Sequence, residues 1–135
     1  MTIISDDEVK MVDVGTSDTL RALYSTALIL LKDSNSDIEL GLEFLRTGNC
    51  TAGSAEESAK QIEAIKKGLS SFNPKDAVYD YRDLKKEAPW KDNISEHVTS
   101  CANLFTTADG KDLLLELIDI LNYASIKVVS VETLG

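Results

Sequence analysis

The sequence contains few of the residues from which catalytic, metal and disulfide sites are built. Its 135 residues include one histidine, His97, and two cysteines, Cys50 and Cys101. The cysteines form neither a CxxC pair nor a cluster with the histidine, so we expect free, reduced thiols, no metal site and no cofactor. The sequence alone also permits a disulfide between the two cysteines, which would close a long loop.

Long hydrophobic runs are missing as well. The longest, ALILL at residues 27–31, is far shorter than the roughly 18 residues that suggest a membrane span. The first ten residues, MTIISDDEVK, have neither the basic nor the apolar region of a signal peptide. We therefore expect a protein of the cytoplasm without membrane contact. Because the length is close to the commonest domain size, we also expect one domain, residues 1–135.

Positive charge is scarce, because 14 Lys and Arg residues stand against 23 Asp and Glu residues, a net charge of -9. Direct nucleic-acid binding needs a basic surface and is therefore not expected, whereas a basic protein would be attracted. Residues 1–48 and residues 76–135 each have a net charge of -5, and residues 49–75 have +1. If the two ends of the chain meet in the fold, they form one acidic side. Acidity that serves only to keep a cytosolic protein in solution is the alternative.

Hydrophobic spacing predicts an α+β fold, with about four helices packed on a small, mainly antiparallel sheet. Helices are predicted to begin near Ser17, Ser36 and Ser54 and after Asp112, each ahead of apolar residues three and four positions apart. Strands are predicted near residues 8–14, 77–81, 102–107 and 126–133. The segment IELGLEFL at residues 38–45 also alternates apolar and polar residues, so a strand is the alternative to the second helix.

The motifs of known enzymes are mostly missing. A small hydrolase or transferase would have to use His97 with Cys101, which lies four residues later and would share its face if the segment were helical. A single histidine in a polar segment is more often a surface or capping residue, so we do not expect an enzyme. The segment ADGKD lacks both the ligand ladder of an EF-hand and the full phosphate loop, and its acids suit the start of a helix.

Aromatic and acidic residues are mixed in the segments VYDYRDL and PWKDN. Tyrosine and tryptophan are frequent in protein interfaces, and acids beside them could meet Lys or Arg on a partner. The alternative is that Tyr79, Tyr81 and Trp90 hold a long loop against the core. Since acids contribute less to a core, Asp80, Asp83 and Asp92 are the favoured partner contacts.

Four short motifs follow one another along the chain. They are GTSD at residues 15–18, aromatic–Asp positions leading to an Asp-Leu pair at 79–84, PWKDNIS at 89–95 and TADGKDL at 107–113. In this order they resemble the immunity protein 70 family over residues 12–121, with a poor match near residues 35–60. The resemblance favours a scaffold role for Trp90, because a residue shared by inhibitors of different toxins is a poor candidate for toxin-specific contact.

The resemblance implies a non-enzymatic bacterial inhibitor. It would bind the C-terminal domain of a contact-dependent or secreted polymorphic toxin, in a one-to-one complex, and protect the producing cell and its kin. Such toxins are often RNases or DNases with basic clefts, which would suit an acidic inhibitor. Poorly matching segments and the acids around PWKDNIS are then the expected contacts. The expected partner-binding residues are Tyr79, Asp80, Asp83, Asp92, Glu96, Glu39 and Glu43. An adaptor domain with an unrelated protein partner is the remaining alternative.

Overall fold

The fold is built around a short central strand. In the computed structural model, which describes residues 1–134, strand β1 (Thr2–Ser5) lies between β2 (Met11–Asp13) and β3 (Val131–Leu134). Both pairings are antiparallel, with Ile3 opposite Val12 on one side and opposite Thr133 on the other. The two ends of the chain therefore meet in one sheet, which is the condition for their acidic residues to share a side.

Four helices complete the structure, and the predicted α+β class is confirmed. They are α1 (Ser17–Leu30), α2 (Glu39–Thr47), α3 (Ala55–Leu69) and α4 (Leu113–Lys127). The segment for which a strand was the alternative thus belongs to α2. The apolar stripes of α3 and α4 pack against each other, and α4 also contacts the sheet. The largest fully buried side chains lie in these elements and include Ile3, Leu23, Phe44, Leu45, Ile62, Ile65, Leu117 and Leu121.

The helix ends are fixed by local chemistry. Gly48 ends α2 in a left-handed conformation, with φ of 74°, which glycine adopts without steric cost. Asp112 caps α4, because its Oδ1 accepts a hydrogen bond from the backbone N–H of Leu115 at 3.3 Å. Its Oδ2 lies 2.8 Å from Nζ of Lys66, which also donates to the carbonyl of Ala102 at 3.2 Å. This lysine therefore ties α3, the loop before α4 and the start of α4 together.

The predicted strand at residues 77–81 is wrong, because its backbone pairs with side chains of α1. The Oγ1 atom of Thr26 donates to the carbonyl of Val78 and accepts from the N–H of the same residue, both at 3.0 Å. Oγ of Ser25 accepts from the N–H of Tyr81 at 2.9 Å. An extended segment whose polar groups are satisfied by a helix has no need of a neighbouring strand.

The predicted strand at residues 102–107 is also wrong. The chain turns back on itself here, and only an isolated bridge between Thr106 and Asp112 forms. At the far end, Ile126 and Lys127 of the predicted strand 126–133 belong to α4, and β3 begins at Val131. The strand predicted near residues 8–14 is confirmed in β2, whereas β1 was not predicted. Within residues 1–134, no helix has both the length and the apolar character needed to cross a membrane.

Candidate partner-binding surfaces

An aromatic row joins three parts of the long loop between α3 and α4. The ring of Trp90 meets the ring of Tyr79 edge-on at a centroid distance of 5.6 Å and that of Phe105 at 5.8 Å. Phe105 is buried, whereas Trp90 and Tyr79 are half-buried. Edge-to-face contacts of this kind stabilise beyond the area they bury. Trp90 thus connects the loop to the core, although one side of its ring still lines an open cleft.

Asp80 is the most buried of the predicted partner-binding residues. Its side chain is 5% exposed, and its carboxylate accepts two hydrogen bonds from the Arg82 guanidinium, both at 3.0 Å, and one from the Arg82 backbone N–H at 2.9 Å. These bonds hold the pKa of the Asp80 carboxyl well below its usual range. The arginine side chain is 57% exposed. Asp80 therefore orients Arg82 and offers a partner little surface of its own.

Replacing Asp80 by asparagine should destabilise the protein at neutral pH by removing the paired hydrogen bonds between the Asp80 carboxylate and the Arg82 guanidinium. The pKa of Asp80 is lower in the folded protein than in the unfolded chain. Its contribution to the free energy of unfolding is therefore complete above the unfolded pKa and is lost as pH falls through the folded pKa. The stability difference between wild type and Asp80→Asn should therefore shrink from about pH 4 to about pH 2 in urea titrations. Asp83→Asn, an exposed neighbour, is the control. A difference that stays constant over this pH range would contradict the assignment.

The other predicted acids are exposed but do not form one cluster. Asp92 lines a cleft of about 410 Å³ with Trp90 and residues 84–88. Glu43 lies on α2 and binds Arg46, with Nε of the arginine 3.0 Å from Oε2. Arg46 belongs to a different cleft, of about 330 Å³, at the contact between α1, α2 and Tyr81. The expected residues are thus distributed over more than one surface. The exposed members of the set are Asp83, Asp92, Glu96, Glu39 and Glu43.

The alternative enzyme site would pair an exposed histidine, His97, with a buried cysteine, Cys101. Residues 95–103 form turns, so the spacing of four does not place His97 and Cys101 on one helical face. Cys101 is fully buried, its Sγ donates to the carbonyl of Asn73 at 3.2 Å, and burial raises its pKa to about 11. A thiol in that state is a poor nucleophile. Both cysteines are free in this structure. No group of three metal-binding side chains occurs in residues 1–134.

Sequence reasoning missed a surface at the free edge of the sheet, which we call the hairpin–α4 surface. It comprises residues 6–13, residues 107–111 and the α4 residues Leu115, Glu116 and Asp119. Two long-range contacts join its parts. Nζ of Lys10 lies 3.1 Å from Oδ2 of Asp119, and the Tyr123 hydroxyl donates to Oδ2 of Asp7 at 2.6 Å. The hairpin is thereby fixed against the side of α4.

The hairpin–α4 surface combines apolar and acidic side chains. Val9, Met11 and Leu115 are 65%, 62% and 53% exposed. Seven acids and two lysines give it a net charge of -5, more than half of the charge of the whole chain. The acids are Asp6, Asp7, Glu8, Asp13, Asp109, Glu116 and Asp119. Its members come from the two acidic ends of the chain, which the pairing of β1 with β3 brings together.

A cleft runs along the outer edge of β2 within this surface. It has a volume of about 480 Å³ and is lined by residues of β2, by residues 107–111 and by Glu116. The N–H of Ser5 bonds to the carbonyl of Lys10, and that of Val14 to the carbonyl of Met1. In an antiparallel pair the intervening residues Met11 and Asp13 then direct their backbone N–H and C=O groups away from β1, into the cleft.

Comparison with known families identifies the chain. The family model described as Immunity protein 70 matches residues 5–133, nearly the whole of the described structure. The chain belongs to the immunity protein 70 family. The match includes the segment near residues 35–60 whose motifs resemble the family least. Membership supports a role as an immunity protein that binds a cognate toxin. No curated protein and no solved structure matches the chain significantly.

Proposed function

We propose that this immunity protein 70 member binds the C-terminal domain of a cognate antibacterial toxin in the bacterial cytoplasm and neutralises it without catalysis. The observation that carries the proposal is the family match over residues 5–133. The absence of a reactive thiol at Cys101 and the exposed position of His97 favour binding over chemistry. The toxin would come from a contact-dependent or secreted polymorphic system, and the complex would contain one copy of each protein.

The charge of the chain supports a basic toxin, such as an RNase or DNase. A nuclease attracts its phosphate substrate with a basic cleft, and a surface of net charge -5 on a chain of net charge -9 is complementary to such a cleft. The exposed acids Asp83, Asp92, Glu96, Glu39 and Glu43 are proposed as contacts at the rim of the interface, where single exposed charges contribute little to affinity. Tyr79 and Asp80 are proposed as residues that shape the loop beside them. Covering the cleft would exclude the nucleic acid directly.

Co-expression with the C-terminal domain encoded by the neighbouring toxin gene tests the proposal. The immunity protein should restore growth and copurify with the toxin domain. If acidic residues steer association, the on-rate should fall at least about tenfold between about 0.02 M and about 0.5 M salt, measured by surface plasmon resonance. The same measurement at low salt, with glycerol added to match the viscosity of the high-salt buffer, controls for slower diffusion.

Each failure has a separate meaning. A toxin domain that neither copurifies with this protein nor is neutralised by it would overturn the proposed function and favour an adaptor role. Tight binding that does not depend on salt would retain the inhibitor and overturn the basic partner. Protection that required His97, with His97→Ala failing while still bound to the toxin, would point to catalysis.

A further inference from the structure

We infer that the toxin docks on the hairpin–α4 surface, and that an extended basic segment of the toxin adds to the free edge of β2. This inference rests on the proposed function, since the occupant is the toxin domain. It differs from the contacts expected from sequence, which lie on the loop and on α2. Three independent features of the structure support this assignment.

The first feature is the difference between the two edges of the sheet. The outer edge of β3 is occupied, because Val131 and Cys50 exchange backbone hydrogen bonds at 2.8 and 2.9 Å, and Oδ1 of Asn49 accepts from the N–H of Thr133 at 3.0 Å. At the outer edge of β2, the carbonyl of Asp13 accepts from the N–H of Ala108 at 2.9 Å. The outward groups of Met11 face the open cleft. Edge strands with free backbone groups recruit extended segments of partner proteins.

The second feature is the exposure of three apolar side chains on this surface. Val9, Met11 and Leu115 are each more than half exposed, as are four other large apolar side chains of the described residues, Leu84, Ile126, Val128 and Leu134. The Val9 position is held firmly, since Oδ1 of Asp7 accepts from its N–H at 3.2 Å and from the Ser5 hydroxyl at 2.7 Å. Side chains that are already ordered lose less conformational entropy when a partner covers them. Covering exposed apolar side chains supplies affinity that acids alone do not.

The third feature is the charge that borders the cleft. The cleft beside β2 is bordered by Asp13, Asp109 and Glu116, with Lys111 as the opposing charge. Nζ of Lys111 lies 3.6 Å from Oδ2 of Asp109, so these two charges compensate each other and the carboxylates of Asp13 and Glu116 leave the cleft acidic. A strand that entered the cleft would place alternate side chains among carboxylates. Lysine and arginine at those positions are complementary, which identifies the segment as basic.

Two double substitutions with the same change in net charge test the location. Glu116→Lys with Asp119→Lys reverses the hairpin–α4 surface, and Asp83→Lys with Asp92→Lys reverses the loop acids. The probe is the inactivated C-terminal domain of the toxin encoded by the neighbouring gene. The readout is the Kd of its complex with each variant, measured at one fixed salt concentration. We expect about a 100-fold weaker Kd for the first pair and less than about a fivefold change for the second. Urea midpoints of both variants confirm that each is folded.

Amide hydrogen exchange tests the added strand without any substitution. In the free protein, the amides of Met11 and Asp13 should exchange quickly, and in the complex with the toxin domain they should be protected at least about tenfold. The Thr133 amide, already bonded to Asn49, is the internal reference and should change little. The inference is supported if these two amides are protected in the complex and the variant with Glu116→Lys and Asp119→Lys binds the toxin domain more weakly.

The outcomes separate this inference from the proposed function. In one outcome, the wild-type protein binds and neutralises the toxin while the variant at Asp83 and Asp92 loses as much affinity as the variant at Glu116 and Asp119. In that case the proposed docking surface is wrong and the proposed function stands. Unchanged exchange at Met11 and Asp13 in a tight complex overturns the added strand. If the wild-type protein does not bind the toxin domain at all, the function fails and the docking surface fails with it.

Discussion

Replacing Trp90 by alanine is expected to lower the free energy of unfolding by roughly 2–3 kcal/mol, less than for a fully buried tryptophan because this ring is half-buried. The ring is the middle member of the aromatic row from Tyr79 to Phe105, so its removal separates the loop from the core. Urea unfolding followed by far-ultraviolet circular dichroism measures the loss, since the variant has no tryptophan fluorescence. Against a typical domain stability of roughly 5–15 kcal/mol, the variant should remain folded.

The opening of the loop can be followed at the buried thiol of Cys101. In a Cys50→Ser background, this thiol is the only one in the sequence and reacts slowly with Ellman's reagent because it is buried and its pKa is raised to about 11. Trp90→Ala should accelerate the reaction, whereas Trp90→Phe, which keeps a ring between Tyr79 and Phe105, should restore most of the protection. If stability and labelling are unchanged while toxin protection is lost, Trp90 is an interface residue.

The helices could be predicted from the sequence because each depends on contacts within one segment. Apolar residues three and four positions apart identified the faces of α1 to α4. The strands were harder. Residues 77–81 have the composition of a strand, but whether they pair with a sheet or with Ser25 and Thr26 of α1 depends on packing that spacing does not describe. The β-branched residues in TIIS were the available signal for β1.

The candidate surfaces show the same limit. Aromatic and acidic composition drew attention to residues 79–96, although in the structure Trp90 packs against Phe105 and Asp80 orients Arg82. The hairpin–α4 surface joins residues 6–13 to residues more than ninety positions later, through the Lys10–Asp119 and Asp7–Tyr123 contacts. The charge at the two ends of the chain was visible in the sequence. That the ends meet follows only from the pairing of β1 with β3.

Gly48→Ala is expected to cost roughly 3 kcal/mol of stability, from two separate causes. A Cβ atom at this position would carry a left-handed backbone with φ of 74°, and it would lie 2.3 Å from Cγ2 of Thr133 on β3. The end of α2 approaches the sheet at this point, so the clash has to be relieved by moving α2, β3 or the Thr133 side chain. Thermal and urea unfolding measure the loss.

Two other glycines separate the causes of this loss. Gly110 has φ of 85° with nothing within 4 Å of an added Cβ, so Gly110→Ala should show the backbone cost alone, roughly 1–2 kcal/mol. Gly53 has open space and no left-handed φ, so Gly53→Ala should be within about 0.5 kcal/mol of wild type. The remainder of the Gly48 effect is steric. Thr133→Ser removes Cγ2 and should restore that remainder when combined with Gly48→Ala. If Gly48→Ala costs no more than Gly110→Ala, or Thr133→Ser restores nothing, the close approach of α2 to β3 does not limit this position.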